Sequence, residues 1–177
     1  MIYMTINNII VVGITGVGKT TIGKYLADYL GKQFIDLDKH IELMCGVDIP
    51  TIFELEGEEG FRNRETFALK SILQNYDDFV LSLGGGCVIR PENRQMIMRD
   101  SSFVVQLIAS LDIIVDRLIK SPNKRPLLAN QDVKQKVENL LESRKEFYDA
   151  VSDATINTTN LRPIHVIEKI INLVNNK

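Results

Sequence analysis

An α/β domain built on a parallel sheet is the fold class this sequence predicts, and three observations predict it. Short apolar, β-branched segments alternate with segments whose apolar residues recur at helical spacing. The first of these strands runs directly into a glycine-rich loop that opens a helix. The chain's 177 residues, 45% of them hydrophobic and 25% charged, suit one domain with a sizeable buried core.

The elements follow in order. Ile9–Val12 is a continuous β-branched run closed by Gly13, the pattern of a strand buried on both faces. From Lys19 a helix carries Ile22, Leu26, Tyr29 and Leu30 on one side and stops at Gly31. Residues 33–37 read as a second strand, ending between Asp36 and Asp38. Residues 39–75 read as mostly helical, with interruptions at Gly46, Pro50, Gly57 and Gly60.

A third strand, 79–83, leads into Gly84, Gly85 and Gly86. Pro91 opens a helix at a favourable first-turn position. A fourth strand covers Phe103–Ile108, with a helix from about Asp112. Residues 120–130, KSPNKRPLLAN, break the pattern with two prolines and three basic groups and are expected to form a mobile loop. A long helix then runs through Val137, Leu140, Leu141 and Arg144 to Tyr148. A short last strand at Ala154–Asn157 and a helix from Pro163 complete a single domain with no repeat or linker.

Composition narrows the function. A formal net charge of −2 argues against a nucleic-acid binder held by a broad basic surface. The two cysteines, Cys45 and Cys87, form no CxxC pair, so neither a zinc site nor a disulfide framework is expected, and a reducing cytoplasm suits them. No apolar stretch is long enough for a membrane span. MIYMTINNIIVVG lacks a basic start and is read as a short leader and first strand, not a signal peptide. The two histidines, His40 and His165, lie outside metal-ligand spacing and are assigned to surface or packing, and both cysteines are assigned to packing. Phe147 and Tyr148 are assigned to helix packing, and Glu54, Glu56, Glu58 and Glu59 to a solvated helix start.

Residues 13–20, GITGVGKT, match the phosphate-loop pattern G-x-x-x-x-G-K-[ST] in full, between a strand and a helix. Gly13, Gly16 and Gly18 permit backbone approaches that a side chain blocks, so the loop amides and the helix N-terminus can face phosphates. Gly16, Val17, Gly18, Lys19, Thr20 and Thr21 are therefore candidates for binding ATP. Lys19 would reach the β- and γ-phosphates and the Thr20 hydroxyl would bind Mg²⁺. Asp36, at the end of the second strand, is placed to join the metal site through a water. Ligands of open α/β sheets gather at the carboxyl ends of the strands, so Asp38, the phosphate loop and the triple glycine should converge on one crevice. The loop alone leaves the second substrate open.

Three arginines are candidates for gripping an anion, because the guanidinium fork suits carboxylate and phosphate. Arg62 lies on a helix, facing away from an apolar side. Arg144 could point from the long helix into the crevice. Arg125 lies in the loop at 120–130.

Together, G-x-T-G-x-G-K-T-T-I-G-x-x-L-A, F-x-D-x-D-x-x-I-E, F-E-x-E-G-E-E-G-F-R-x-R-E, G-G-G-x-V, K-R-P-L-L and L-x-x-R-x-x-x-Y resemble the shikimate kinase family over about residues 9–157. The resemblance implies a P-loop NTPase fold of the nucleoside monophosphate kinase type. Its parts would be a five-stranded parallel sheet flanked by helices, a substrate-binding helical insert at about 38–75 and a lid at about 120–130. It implies ATP and Mg²⁺ as cofactors and transfer of the γ-phosphate to the 3-hydroxyl of shikimate, in a cytoplasmic, monomeric enzyme with no nucleic-acid or membrane partner.

Residue by residue, the resemblance makes Asp38 the holder of ring hydroxyls and the base, Arg62 and Arg144 the carboxylate grip, and Gly84, Gly85 and Gly86 backbone contacts to substrate. Arg125 becomes the lid arginine over the phosphates, Arg117 a neighbour of the adenine, and Glu65 the partner that orients Arg62. Leu83 and Cys87 depart from the usual residues around the glycines, and residues 160–163 show no clear match to the family's adenine contacts. The competing readings are a gluconate-type or nucleoside monophosphate kinase, and a non-catalytic ATP-binding regulator.

Overall fold

The computed structural model describes residues 7–120 and 133–176. Five parallel strands form one sheet in the order β2-β3-β1-β4-β5. They are β1 (Ile9–Val12), β2 (Gln33–Asp36), β3 (Phe79–Ser82), β4 (Phe103–Ile108) and β5 (Ala154–Asn157). The helices are α1 (Lys19–Leu30), α2 (Leu37–Cys45), α3 (Ile49–Asn75), α4 (Pro91–Arg99), α5 (Leu111–Lys120), α6 (Val133–Val151) and α7 (Pro163–Asn175). A 3-10 turn, Cys87–Ile89, joins the triple glycine to α4.

β1 is buried along its whole length because both sheet faces are covered. Successive strand side chains point to opposite faces, and β1 divides accordingly. Ile10 and Val12 join a core with Leu37, Ile52, Leu69 and Tyr148. Ile9 and Val11 join another with Leu26, Ile114, Ile167 and Ile170. Residues Ile9, Ile10 and Val11 register against Val80, Leu81 and Ser82 of β3. β3 in turn pairs Leu81 with Ile35 and Ser82 with Asp36 of β2. The carboxyl end of β3 therefore lies between those of β1 and β2, although it is third in the chain.

The elements differ from expectation at four points. The second strand stops at Asp36, and Leu37 is already helical, because the Asp36 side chain accepts a hydrogen bond from the Lys39 amide and caps α2. The third strand stops at Ser82, one residue short of the expected end. The expected interruptions at Gly46 and Pro50 lie at helix ends, with Gly46 in a left-handed C-cap and Pro50 in the first turn of α3. Of the two later glycines only Gly57 breaks the helix, at φ 68° and ψ −173°. Gly60 stays helical and fits there because a Cβ on it would lie 2.3 Å from the Glu56 Cβ.

Candidate active site

The loop between β1 and α1 takes the shape its glycines allow. Gly16 and Gly18 have φ values of 81° and 105°, in the left-handed region. The Leu118 side chain of α5 lies 2.9 Å from where a Gly16 Cβ would stand. Arg117, also on α5, donates through Nη1 to the Val17 carbonyl at 2.9 Å. It thus braces the phosphate loop from outside, beside Gly18. Lys19 is buried, and its ammonium lies over the loop, donating to the Ile14 carbonyl at 3.0 Å. Thr20 and Thr21 occupy the exposed first turn of α1. The Thr20 hydroxyl donates to Asp36 Oδ2 at 2.8 Å.

The second half of the site forms around the triple glycine, and each glycine faces a different neighbour. A Cβ on Gly84 would stand 2.7 Å from Asp38 Oδ1 and 3.0 Å from Glu65 Oε1. One on Gly85 would stand 3.0 Å from the Thr15 amide of the phosphate loop. One on Gly86 would stand 2.4 Å from Arg62 Nη2. Asp38, half-buried in the first turn of α2, therefore lies beside the glycine turn, and the turn lies against the phosphate loop.

Arg62, expected to face away from an apolar side of its helix, is instead buried. It is only 9% exposed, stacks over the Phe61 ring at 5.2 Å and pairs with Glu65 at 2.7 Å and Glu58 at 3.4 Å. Burial pushes the Glu65 carboxyl above its usual range, and the Arg62 charge offsets only part of that shift. Arg62 Nε and Glu65 Oε1 are buried without a hydrogen-bond partner among the described residues. Polar atoms in that condition are expected to find partners in a bound ligand or water. The glutamate run is likewise not a simple solvated helix start. Glu56 pairs with Arg64, Glu58 with Arg62, and Glu59 with Arg90.

From the long helix, Arg144 Nη1 donates to the Gly85 carbonyl at 3.0 Å, which brings a second of the candidate arginines to the same turn. Tyr148, one helical turn on, also donates its hydroxyl to the Gly85 carbonyl. This was missed as more than packing, because the tyrosine shares the apolar face of α6 and its partner lies 63 residues earlier. His40 packs edge-on against Tyr76, with ring centroids 6.1 Å apart, and Cys87 is buried, as expected of both. Arg125 and residues 121–130 of the expected lid lie outside the described residues.

Sequence and structure comparisons give the family. The family model described as shikimate kinase matches residues 15–175. The chain is 46% identical over 168 residues to the shikimate kinase of Marinomonas sp. (strain MWYL1), covering 94% of this chain and 91% of that one. The chain belongs to the shikimate kinase family.

The family's ATP-dependent kinase activity accounts for the complete phosphate loop. The shikimate kinase of Hahella chejuensis is 40% identical over 93% of this chain and 84% of its own. Among solved structures, shikimate kinase from Acinetobacter baumannii in complex with shikimate superposes with a TM-score of 0.91 at 37% identity, covering 98% of this chain and 96% of that one. The Aquifex aeolicus shikimate kinase superposes at 0.80 with 28% identity. The five-stranded parallel sheet flanked by helices is thus the shikimate kinase fold. Among the described residues no helix is long and apolar enough to cross a membrane.

Proposed function

We propose that this chain transfers the γ-phosphate of ATP to the 3-hydroxyl of shikimate, giving shikimate 3-phosphate and ADP. The observation that carries this reading is the junction at Gly84, Gly85 and Gly86. There a carboxylate (Asp38) and two arginines (Arg62 and Arg144) meet a turn that touches the phosphate loop. Shikimate has one carboxylate and several ring hydroxyls. Arg62 and Arg144 supply the fork for the carboxylate, Asp38 accepts hydrogen bonds from ring hydroxyls, and the glycine backbone closes on the ring. The structure from Acinetobacter baumannii in complex with shikimate supports this choice of acceptor.

In the reaction, Asp38 takes the proton of the 3-hydroxyl as its oxygen bonds to the γ-phosphorus. The bond from that phosphorus to the β–γ bridging oxygen breaks, and ADP leaves. Phosphoryl transfer relies mainly on positioning and charge neutralisation. The Gly16–Val17–Gly18 backbone and the amides at the start of α1 cradle the phosphates. Lys19 exchanges the Ile14 carbonyl for phosphate oxygens. Arg117 braces the loop beside the nucleotide, and Arg125 supplies the charge from the lid segment.

The Thr20 hydroxyl and Asp36 carboxylate are hard oxygen donors in mutual contact, the chemistry Mg²⁺ prefers when it keeps most of its waters. These two residues would hold the ion, Thr20 directly and Asp36 through a water, and bound Mg²⁺ would neutralise phosphate charge. In this reading α2 and α3 are the substrate-binding insert of a single domain, and the enzyme works as a cytoplasmic monomer.

The test is a coupled ADP-release assay with ATP and Mg²⁺, comparing shikimate, gluconate and nucleoside monophosphates. Stimulation by shikimate alone is expected. Stimulation by another acceptor would overturn the substrate assignment, and silence with all of them would favour a non-catalytic regulator.

A further inference from the structure

The Gly85 carbonyl receives two donors from one helix. Arg144 and Tyr148 are four residues apart on α6, which places them one above the other on the same face. Arg144 Nη1 reaches the carbonyl at 3.0 Å and the Tyr148 hydroxyl reaches it as well. A carbonyl oxygen has two lone pairs and can accept both. Gly85 is buried, and Tyr148 is only 3% exposed, so neither group can turn to bulk water.

This double occupancy matters for substrate capture. When Arg144 turns its guanidinium from the turn towards a ligand carboxylate, Nη1 leaves the Gly85 carbonyl. Were it the sole donor, its departure would leave a buried carbonyl unpaired, a penalty of about fivefold to a hundredfold in affinity. With Tyr148 in place the carbonyl stays paired when Arg144 leaves. The peptide is planar and trans, so holding the Gly85 carbonyl also holds the Gly86 amide and the direction in which the turn runs towards Arg62.

We propose that Tyr148 is a positioning residue for shikimate capture, holding the Gly85 carbonyl so that Arg144 is released to the substrate carboxylate. The proposal rests on the reading of Arg144 as a carboxylate ligand. Burial pushes the Tyr148 phenol up to about 12, which keeps the hydroxyl a proton donor throughout the neutral range. Its aromatic ring belongs to the core, so replacement by phenylalanine removes the hydroxyl while keeping the packed ring.

The experiment is a double-mutant cycle, with shikimate affinity measured by calorimetry and steady-state constants alongside. Tyr148→Phe is expected to weaken shikimate binding about fivefold, the share of one hydrogen bond, and to raise its KM in step. Turnover at saturation and the KM for ATP should stay nearly unchanged. In an Arg144→Ala background the same change should leave affinity unaltered, since no arginine remains to be released. An equal loss in both backgrounds, or no loss with Arg144 present, overturns the proposal. Unchanged affinity in Arg144→Ala alone instead removes the carboxylate assignment, and this proposal with it.

A crystal structure of the wild-type protein with shikimate tests the hand-over without any substitution. Tyr148 on the Gly85 carbonyl with Arg144 on the carboxylate is expected. Arg144 still on the carbonyl, or Tyr148 withdrawn from it, refutes the mechanism.

Discussion

Replacing Gly86 by alanine perturbs one half of the site and spares the other. Gly86 has φ −105° and ψ −1°, angles an alanine adopts freely, so the backbone itself does not resist. The obstacle is Arg62, whose Nη2, Nη1 and Cζ lie 2.4, 2.6 and 2.7 Å from the new Cβ. A side-chain tip could normally move away. Here Arg62 is pinned by Glu65 and Glu58 and stacked on Phe61, so it can give way only by straining a buried ion pair. Restoring an ordinary contact of about 3.5 Å needs a retreat of about 1 Å. A displacement of that size in a positioning group can cost about a hundredfold in rate. The expected outcome is a fall of about tenfold to a hundredfold in kcat/KM for shikimate, with the KM for ATP unchanged. Overpacking should also cost about 1–3 kcal/mol of stability. Steady-state kinetics with each substrate varied in turn, beside a thermal melt, measures all three. A variant that keeps wild-type kcat/KM for shikimate would falsify the placement of Arg62 against the turn.

Three further expectations follow from the same geometry. Lys19→Ala should lower turnover about a hundredfold or more through loss of phosphate charge stabilisation; a loss of only a fewfold in single-turnover assays would contradict its role. Asp36→Ala should cost about 1 kcal/mol through the lost cap on α2 and raise the Mg²⁺ concentration for half-maximal rate about tenfold. Asp36→Asn should recover the stability alone, and equal Mg²⁺ dependence in all three proteins counts against the metal assignment. As pH falls through the raised pKa of Glu65, its charge is lost and Arg62 loosens, so kcat/KM for shikimate should decline above the ordinary carboxylate range. Because that pKa is raised, Glu65 contributes stability that is present below its unfolded value and lost as pH rises through the folded one. The acid loss of activity should therefore come without unfolding from this group, and it should vanish in Glu65→Gln; a persistent acid limb in that variant assigns it elsewhere.

The parts legible in the sequence are those whose chemistry is local. Ile9–Val12 followed by GITGVGKT fixes a strand, a loop and a helix within a dozen residues, and nothing distant can reassign them. What stayed hidden depends on residues far apart in the chain. Gly57 and Gly60 are equivalent as helix breakers by composition, yet only the first takes a left-handed angle, while the second is held in the helix beside Glu56. Arg62 reads as facing away from an apolar side because its local neighbours are glutamates; its burial comes from Phe61 below it and from Gly86, which β3 delivers from another part of the chain. Tyr148 has the spacing of a packing residue, and only the fold shows where its hydroxyl goes. Asp36 was legible as a strand end, while its cap on α2 changed the boundary by one residue.

The sheet order explains why one turn can serve both substrates. With β3 between β2 and β1, the glycine turn at its end adjoins Asp38 on one side and the phosphate loop on the other. Gly85 is the point of contact, its hypothetical Cβ 3.0 Å from the Thr15 amide. Its φ lies outside the left-handed region, so alanine is permitted by the backbone and resisted only by the loop. Relieving that contact moves the two halves apart by about 0.5 Å, with the Gly85 carbonyl still held by Arg144 and Tyr148. Such a change should act on the distance between hydroxyl and phosphate, not on either binding site. Gly85→Ala is therefore expected to lower kcat about tenfold while both KM values stay within about twofold. A variant that instead loses shikimate affinity with kcat intact would show that the turn serves the acceptor alone, and that the phosphate loop finds its distance by another route.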